Sequence, residues 1–135
     1  MSSTSDQPLT TSEAQQREIP RRPPEVDKYV DTFLSIVCDT KRRYILELLA
    51  MPGDKDTHQL SEMPEVRSGD IAKAIGLSAA TTSEHLRQLA YIGLITSRRA
   101  GNTVYYRLRN HELVEVFDKL LVALDKTYSE QLRSE

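Results

Sequence analysis

The stretch SGDIAKAIGLSAATTSEHLRQLAYIGLI, from Ser68 to Ile95, limits the folds open to this chain more than any other. Ser68 can cap a short helix on which Ile71, Ala74 and Ile75 recur at helical spacing. Gly76 suits the left-handed conformation that closes such a helix. Ser78 then stands as N-cap of a second helix, Ala79 to Ile92. Leu77, Thr82, Leu86, Leu89 and Ile92 fall on one face of it, with Thr82 a weak core member. Two short helices across a Gly-containing turn make a helix-turn-helix.

The residues after Gly93 narrow the architecture further. Leu94–Ser97 and Thr103–Leu108 read as two strands around the turn Arg98-Arg99-Ala100-Gly101-Asn102, whose Gly-Asn tip closes a hairpin. Arginines sit at the tip of this hairpin, which makes it a wing. Tyr105 and Tyr106 alternate on its second strand, so one packs inward and the other is free to reach a sugar-phosphate edge.

Three further helices complete the pattern. The first begins near Glu25, and Val26, Tyr29, Val30, Phe33, Leu34 and Val37 give it a broad apolar face. So wide a face on a short helix points to burial on two sides, by the core and by a partner. The second, Thr40 to Met51, carries Tyr44, Ile45, Leu48 and Leu49 inward, starts on Lys41, Arg42 and Arg43, and stops at Pro52-Gly53. Asn110 caps the last, His111 to about Leu132, where Leu113, Phe117, Leu120, Leu124 and Tyr128 form one stripe with Val114 and Leu121 beside it. The polar connection from Met51 to Glu65 is long for so small a domain and leaves room for a helical turn around Leu60 to Met63.

The expected fold class is therefore mainly α with a small β-hairpin: a winged helix-turn-helix, dimerising through its first and last helices. Residues 1–24, rich in Ser, Thr, Gln and Pro, bury too little to offset their ordering entropy and are expected to be a disordered tail. Residues 25–133 are expected to form the winged helix-turn-helix domain. With 135 residues, 28% charged and 39% hydrophobic, the chain has room for one such domain plus tails. No run approaches a membrane span, the N-terminus has no secretory pattern, and the single Cys38 permits no intrachain disulfide. A cytoplasmic location is expected. A lone cysteine beside an apolar face, as Cys38 is, is most often an inert core residue, and a redox role requires exposure or a partner cysteine across the dimer.

The net charge of −2 conceals an asymmetry. From Val66 to Arg109 seven basic residues (Arg67, Lys73, Arg87, Arg98, Arg99, Arg107, Arg109) face only Asp70 and Glu84, giving +5 there and −7 elsewhere. Such a segment is either a site for an anionic partner or a solvated basic face.

In DTKRRYILELL, in DIAKAIGLSAATTSEHLRQLAYIGLI and in SRRAGNTVYYRL, the chain resembles the ArsR-type (arsenic-repressor-like) winged-helix family over about Val26 to Leu124. The resemblance implies a dimeric repressor that releases DNA when a metal ion or a redox signal reaches it. The family's metal motif places two cysteines just before the first helix of the helix-turn-helix. Here Arg67 and Gly69 stand at those two places; neither can bind a metal, and Arg67 would repel one. The last helix holds His111 but no second histidine, and His58, His85 and His111 lack ligand spacing. No metal site and no cofactor are expected.

In this fold the second helix of the motif enters the major groove of duplex DNA, N-terminal residues leading. Ser78 and Thr81 lie where hydroxyls and free amides meet a phosphate. Ser83 and Arg87 lie one turn deeper, for base or phosphate contact, and Arg98 and Arg99 on the wing suit phosphates or the minor groove. Glu84 either accepts from cytosine or pairs with Arg87 or Lys73. Tyr29 and Phe33 on the first helix, and Phe117, Leu120 and Leu124 on the last, are expected to pair across a two-fold axis. An enzyme is not expected: Ser83 and His85 point in different directions, and no catalytic motif occurs. The alternative is a winged helix used as a protein-protein interaction module.

Overall fold

The computed structural model describes residues 17–51 and 64–134. The expected disorder of residues 1–16 and the expected helical turn around Leu60 lie outside the described residues. Residues 17–23 carry no helix or strand and lead into α1 (Pro24–Val37). Then come α2 (Thr40–Ala50), β1 (Val66–Arg67), α3 (Ser68–Ile75), α4 (Ala79–Tyr91), β2 (Ile95–Ala100), β3 (Thr103–Leu108) and α5 (His111–Arg133). By its contacts the chain divides inside α1, into one compact unit up to Val30 and another from Asp31.

In the first unit α1 starts on Pro24, where a missing N–H costs nothing, and Pro23 O accepts from Val26 N and Asp27 N at 2.9 and 3.2 Å. Glu25 and Asp27 place negative charge at the helix's positive end. Val26, Tyr29 and Val30 are exposed.

The second unit holds the core. Phe33, Ile36 and Val37 from the end of α1 join Ile45, Leu46 and Leu49 of α2, Ile71 of α3, Leu86 and Leu89 of α4, Ile95 of β2, Leu108 of β3 and Val114 of α5. Each fully buried aliphatic side chain, such as Ile45, Leu49 or Leu89, contributes roughly 2 kcal/mol relative to exposure. On α2 the buried face is Ile45, Leu46 and Leu49. Tyr44, expected inward, is half exposed, where its hydroxyl keeps water, and Leu46 takes the core position instead. Asp39 caps α2, accepting from Arg42 N at 3.0 Å. Asn110 does the same for α5, accepting from Leu113 N at 3.2 Å.

The sheet is antiparallel with order β1-β3-β2. Its extra strand β1 is two residues long, too short to leave a period in the sequence; it pairs Val66 with Tyr106 and Arg67 with Tyr105. This strand also explains why Ser68 is not the cap it was expected to be. The chain passes straight from β1 into α3, so Arg67 occupies the cap position without a side-chain bond and Ser68 is the first helical residue. The wing turn is shorter than the sequence suggests. Ala100 pairs with Thr103, leaving only Gly101-Asn102 as the loop, and Gly101 takes φ +62. Positive φ at the first of two loop residues matches the twist of the flanking strands. Arg98 and Arg99, expected in the turn, are therefore strand residues. Among the described residues no helix is long and apolar enough to cross a membrane.

Candidate nucleic-acid interface

Between α3 and α4 the chain turns on Gly76, whose φ of +77 an L side chain adopts only under strain. Ala72 O accepts from both Gly76 N and Leu77 N, at 2.9 and 3.1 Å, which closes α3. Ser78 opens α4: its Oγ accepts from Thr81 N at 3.1 Å and donates to Thr81 Oγ1 at 3.0 Å. The two hydroxyls are thus placed together at a helix start, beside the outward-facing amides of the first turn. Thr82, Leu86 and Leu89 are buried beneath. The opposite face presents Ala79, Ala80, Thr81, Ser83, Glu84 and Arg87, all exposed. In the free chain Glu84 pairs with Arg87, whose Nη2 donates to Oε2, and with Gln88, whose Nε2 donates to Oε1 at 3.0 Å. These donors, Gln88 first and then Arg87, hold the Glu84 carboxyl below its usual range.

The wing separates two arginines that the sequence groups together. Neighbours on a strand point to opposite faces. Arg99, opposite Val104, lies on the face of Ile95 and Leu108; Arg98, opposite Tyr105, lies on the other, with Arg107. Arg98 is also engaged. Its Nη2 donates to Glu65 Oε2 at 2.7 Å, its Nε lies 3.2 Å from both carboxylate oxygens, and its guanidinium stacks 4.8 Å from the Tyr105 ring. The bond from Arg98 holds the Glu65 carboxyl below its ordinary value, and the carboxylate in turn raises Arg98. Because Tyr105 also pairs with Arg67, the row Arg67–Tyr105–Arg98 crosses all three strands. Tyr106 packs against the core, so the tyrosine pair alternates as expected. Glu65 is a residue that sequence reasoning misses; its partner is 33 positions away.

A second missed group comes from α2. Lys41 Nζ donates to Ile75 O, the last carbonyl of α3, at 3.3 Å. Arg42 Nε donates to His85 Nδ1 on α4 at 3.1 Å, while its Nη1 holds Ile36 O at 3.1 Å. The basic start of α2 is visible in the sequence, but its targets depend on the fold.

Of the residues expected at a dimer interface, Tyr29 is exposed in the first unit. In the second unit Leu120 and Leu124 are 51% and 55% exposed. Phe117 is half-buried against the core. Phe33 is in the core of its own chain at 8% exposure. Val116, Leu120, Leu124, Tyr128 and Leu132, all exposed, succeed one another at four-residue steps along α5. At the expected thiolate positions, Arg67 ion-pairs with Asp70 at 3.7 Å and Gly69 lies inside α3. Among the described residues no three His, Cys, Asp or Glu side chains gather as a metal site. Cys38, expected in the core, is exposed at the end of α1, where the helix gives way to the cap of α2.

The sequence profile of the bacterial regulatory proteins of the arsR family matches residues 64–97, from the start of the sheet through α3 and α4 into β2. The chain is 36% identical over 89 residues to the cadmium resistance transcriptional regulatory protein CadC of Listeria innocua, covering 66% of each chain. It is 30% identical over 98 residues to the nodulation protein NolR of Rhizobium meliloti, covering 73% of this chain and 67% of that one. Among solved structures, a homodimeric winged helix-turn-helix DNA-binding domain from Mycobacterium bovis, a possible ArsR-family transcriptional regulator, superposes with a TM-score of 0.63. That match is 25% identical and covers 82% of this chain and 92% of the other. The profile match falls on the helix-turn-helix, the backbone matches that of a winged helix-turn-helix domain, and this chain belongs to the arsR family of bacterial regulatory proteins.

Proposed function

We propose that this chain is a homodimeric, sequence-specific repressor of transcription, with α4 lying in the major groove of duplex DNA and the wing on the adjacent backbone. One observation carries the reading. The outward face of α4, from Ser78 to Arg87, bears only small and polar side chains, all of them exposed, on a helix whose other face is fixed in the core. Beyond the capping by Ser78 such a face adds no core packing, and it leads with hydroxyls and free amides, the groups that meet phosphates at a helix start. Ser83 and Arg87 come next as the base-reading side chains, and Arg99 and Arg107 supply positive charge along the wing. Arg98 joins them only when Glu65 releases it. Repression acts on the genome, so the protein works in the cytoplasm and catalyses no reaction. The domain spans residues 25–133, behind a tail of residues 1–24.

The homodimeric state of the M. bovis neighbour supports a homodimer, and the exposed apolar side chains of α1 and α5 are the surfaces proposed to pair. Arg67 and Gly69 replace a thiolate pair, so cadmium, zinc and arsenite leave the protein on its DNA; stoichiometric release by one of them, at a concentration that spares an unrelated repressor, overturns this point. The reading as a whole is tested by selecting duplexes from a random pool and titrating salt. Selective binding whose log affinity falls steeply with log salt is expected. Salt-insensitive binding, or none, with capture of a protein partner instead, favours an interaction module.

A further inference from the structure

The recognition helix of a winged fold needs a fixed inclination, because its side chains reach base edges only from one angle. In this chain the turn between α3 and α4 is short and rests on Gly76, and hydrogen bonds from outside the turn add to the core packing that holds that angle. Two consecutive residues of α2 straddle it. Lys41 Nζ reaches the terminal carbonyl of α3 at Ile75, at 3.3 Å. Arg42 Nε reaches the middle of α4, at His85 Nδ1, at 3.1 Å.

Arg42 is itself held from three directions. Its backbone N–H is bound by the Asp39 carboxylate at 3.0 Å, its Nη1 by Ile36 O at 3.1 Å, and its Nε points at the imidazole. It is half-buried, and the His85 ring between α2 and α4 is half-buried with it. His85 is flanked by Ser83, Glu84 and Arg87, the groove-facing residues of the same helix. A bond to this ring therefore bears on the stretch of α4 that carries all three.

We propose that Arg42 is a positioning residue for DNA recognition: by donating to His85 Nδ1 it fixes α4 in the orientation that reads the preferred sequence. This rests on the DNA-binding reading above. In this bond the ring nitrogen Nδ1 is the acceptor, so Arg42 requires an acceptor at that place on α4.

The test uses the full chain and two variants. Arg42→Met keeps the aliphatic length and removes the donors. His85→Asn keeps an acceptor near the place of Nδ1. Affinity is measured on a selected duplex and on a random one, across salt. Arg42→Met loses roughly five- to tenfold of the ratio of the two affinities, the net worth of one hydrogen bond. His85→Asn keeps the ratio. A variant Arg42→Met that weakens both duplexes alike and flattens the salt slope makes Arg42 a phosphate contact and overturns the proposal. So does one that keeps the full ratio. Nitrogen NMR of the free protein reads the imidazole without DNA, and a ring protonated at Nδ1 near neutral pH also overturns it. If the unaltered chain selects no duplex, the DNA-binding reading fails, and the proposal fails with it.

Discussion

Arg98 has two suitors, a phosphate and the Glu65 carboxylate, and in the free protein the carboxylate holds it. Glu65→Gln removes the charge that competes with DNA. It should strengthen binding to selected and random duplexes alike and steepen the salt slope by about one unit per half-site; unchanged affinity and slope would mean that Arg98 never leaves the sheet. The same pair gives the wing a pH dependence. The folded value of Glu65 lies below its unfolded value, so the stability it brings is present above the usual carboxylate range and is lost as pH falls through the folded value. Asp39, held low by the N–H of Arg42, has the same sign at the start of α2. Thr82 is a different kind of residue. Its Oγ1 is buried and, among the described residues, has no partner, so the hydroxyl costs free energy where only its shape is used. Thr82→Val should stabilise the fold by about 1 kcal/mol, read as a higher denaturation midpoint with an unchanged slope.

On the scale of elements, the wing and α4 divide the work of binding, and their variants should separate. Arg99→Ala should weaken both kinds of duplex equally and lower the salt slope by about one unit per half-site. Arg87→Ala should cost more on the selected duplex than on random DNA, by roughly 1–3 kcal/mol for a lost bidentate base contact, less whatever is recovered by no longer breaking the pair with Glu84. If the wing variant loses selectivity and the Arg87 variant keeps it, the two elements have exchanged roles. How far this division can be read from the sequence depends on the range of each signal. Both helices of the motif, Ser78 as cap and the inward set Thr82, Leu86 and Leu89 are local and periodic, and the sequence places them within a residue or so. The end of β2 is misplaced because a two-residue turn and a five-residue turn both contain Gly101-Asn102; only the pairing of Ala100 with Thr103 distinguishes them. Strand β1, the Glu65–Arg98 pair and the Arg42–His85 bond link residues 33 to 43 positions apart, and no local pattern encodes them.

For the molecule as a whole, the unsolved surface is apolar. Tyr29 in one unit and the ridge of Val116, Leu120, Leu124 and Tyr128 in the other leave more apolar area open to water than a small monomer tolerates. Leu120→Glu together with Leu124→Glu should give a monomer by sedimentation, with intact helix content and much weaker DNA affinity. A monomer at micromolar concentration before any substitution would remove the dimer from the reading. Phe33, at 8% exposure within its own chain, has little surface left to offer such an interface. The direct passage from β1 into α3 has a further consequence. The ladder that holds Arg67 to Tyr105 continues without a hinge into the helix that carries Ile71 into the core. Opening the sheet at that edge therefore pulls on α3, and loosening α3 strips the edge of the sheet. Amide protons of β1, β3 and α3 should accordingly exchange with solvent at a common free energy, as one cooperative unit, while the ends of α5 exchange far earlier.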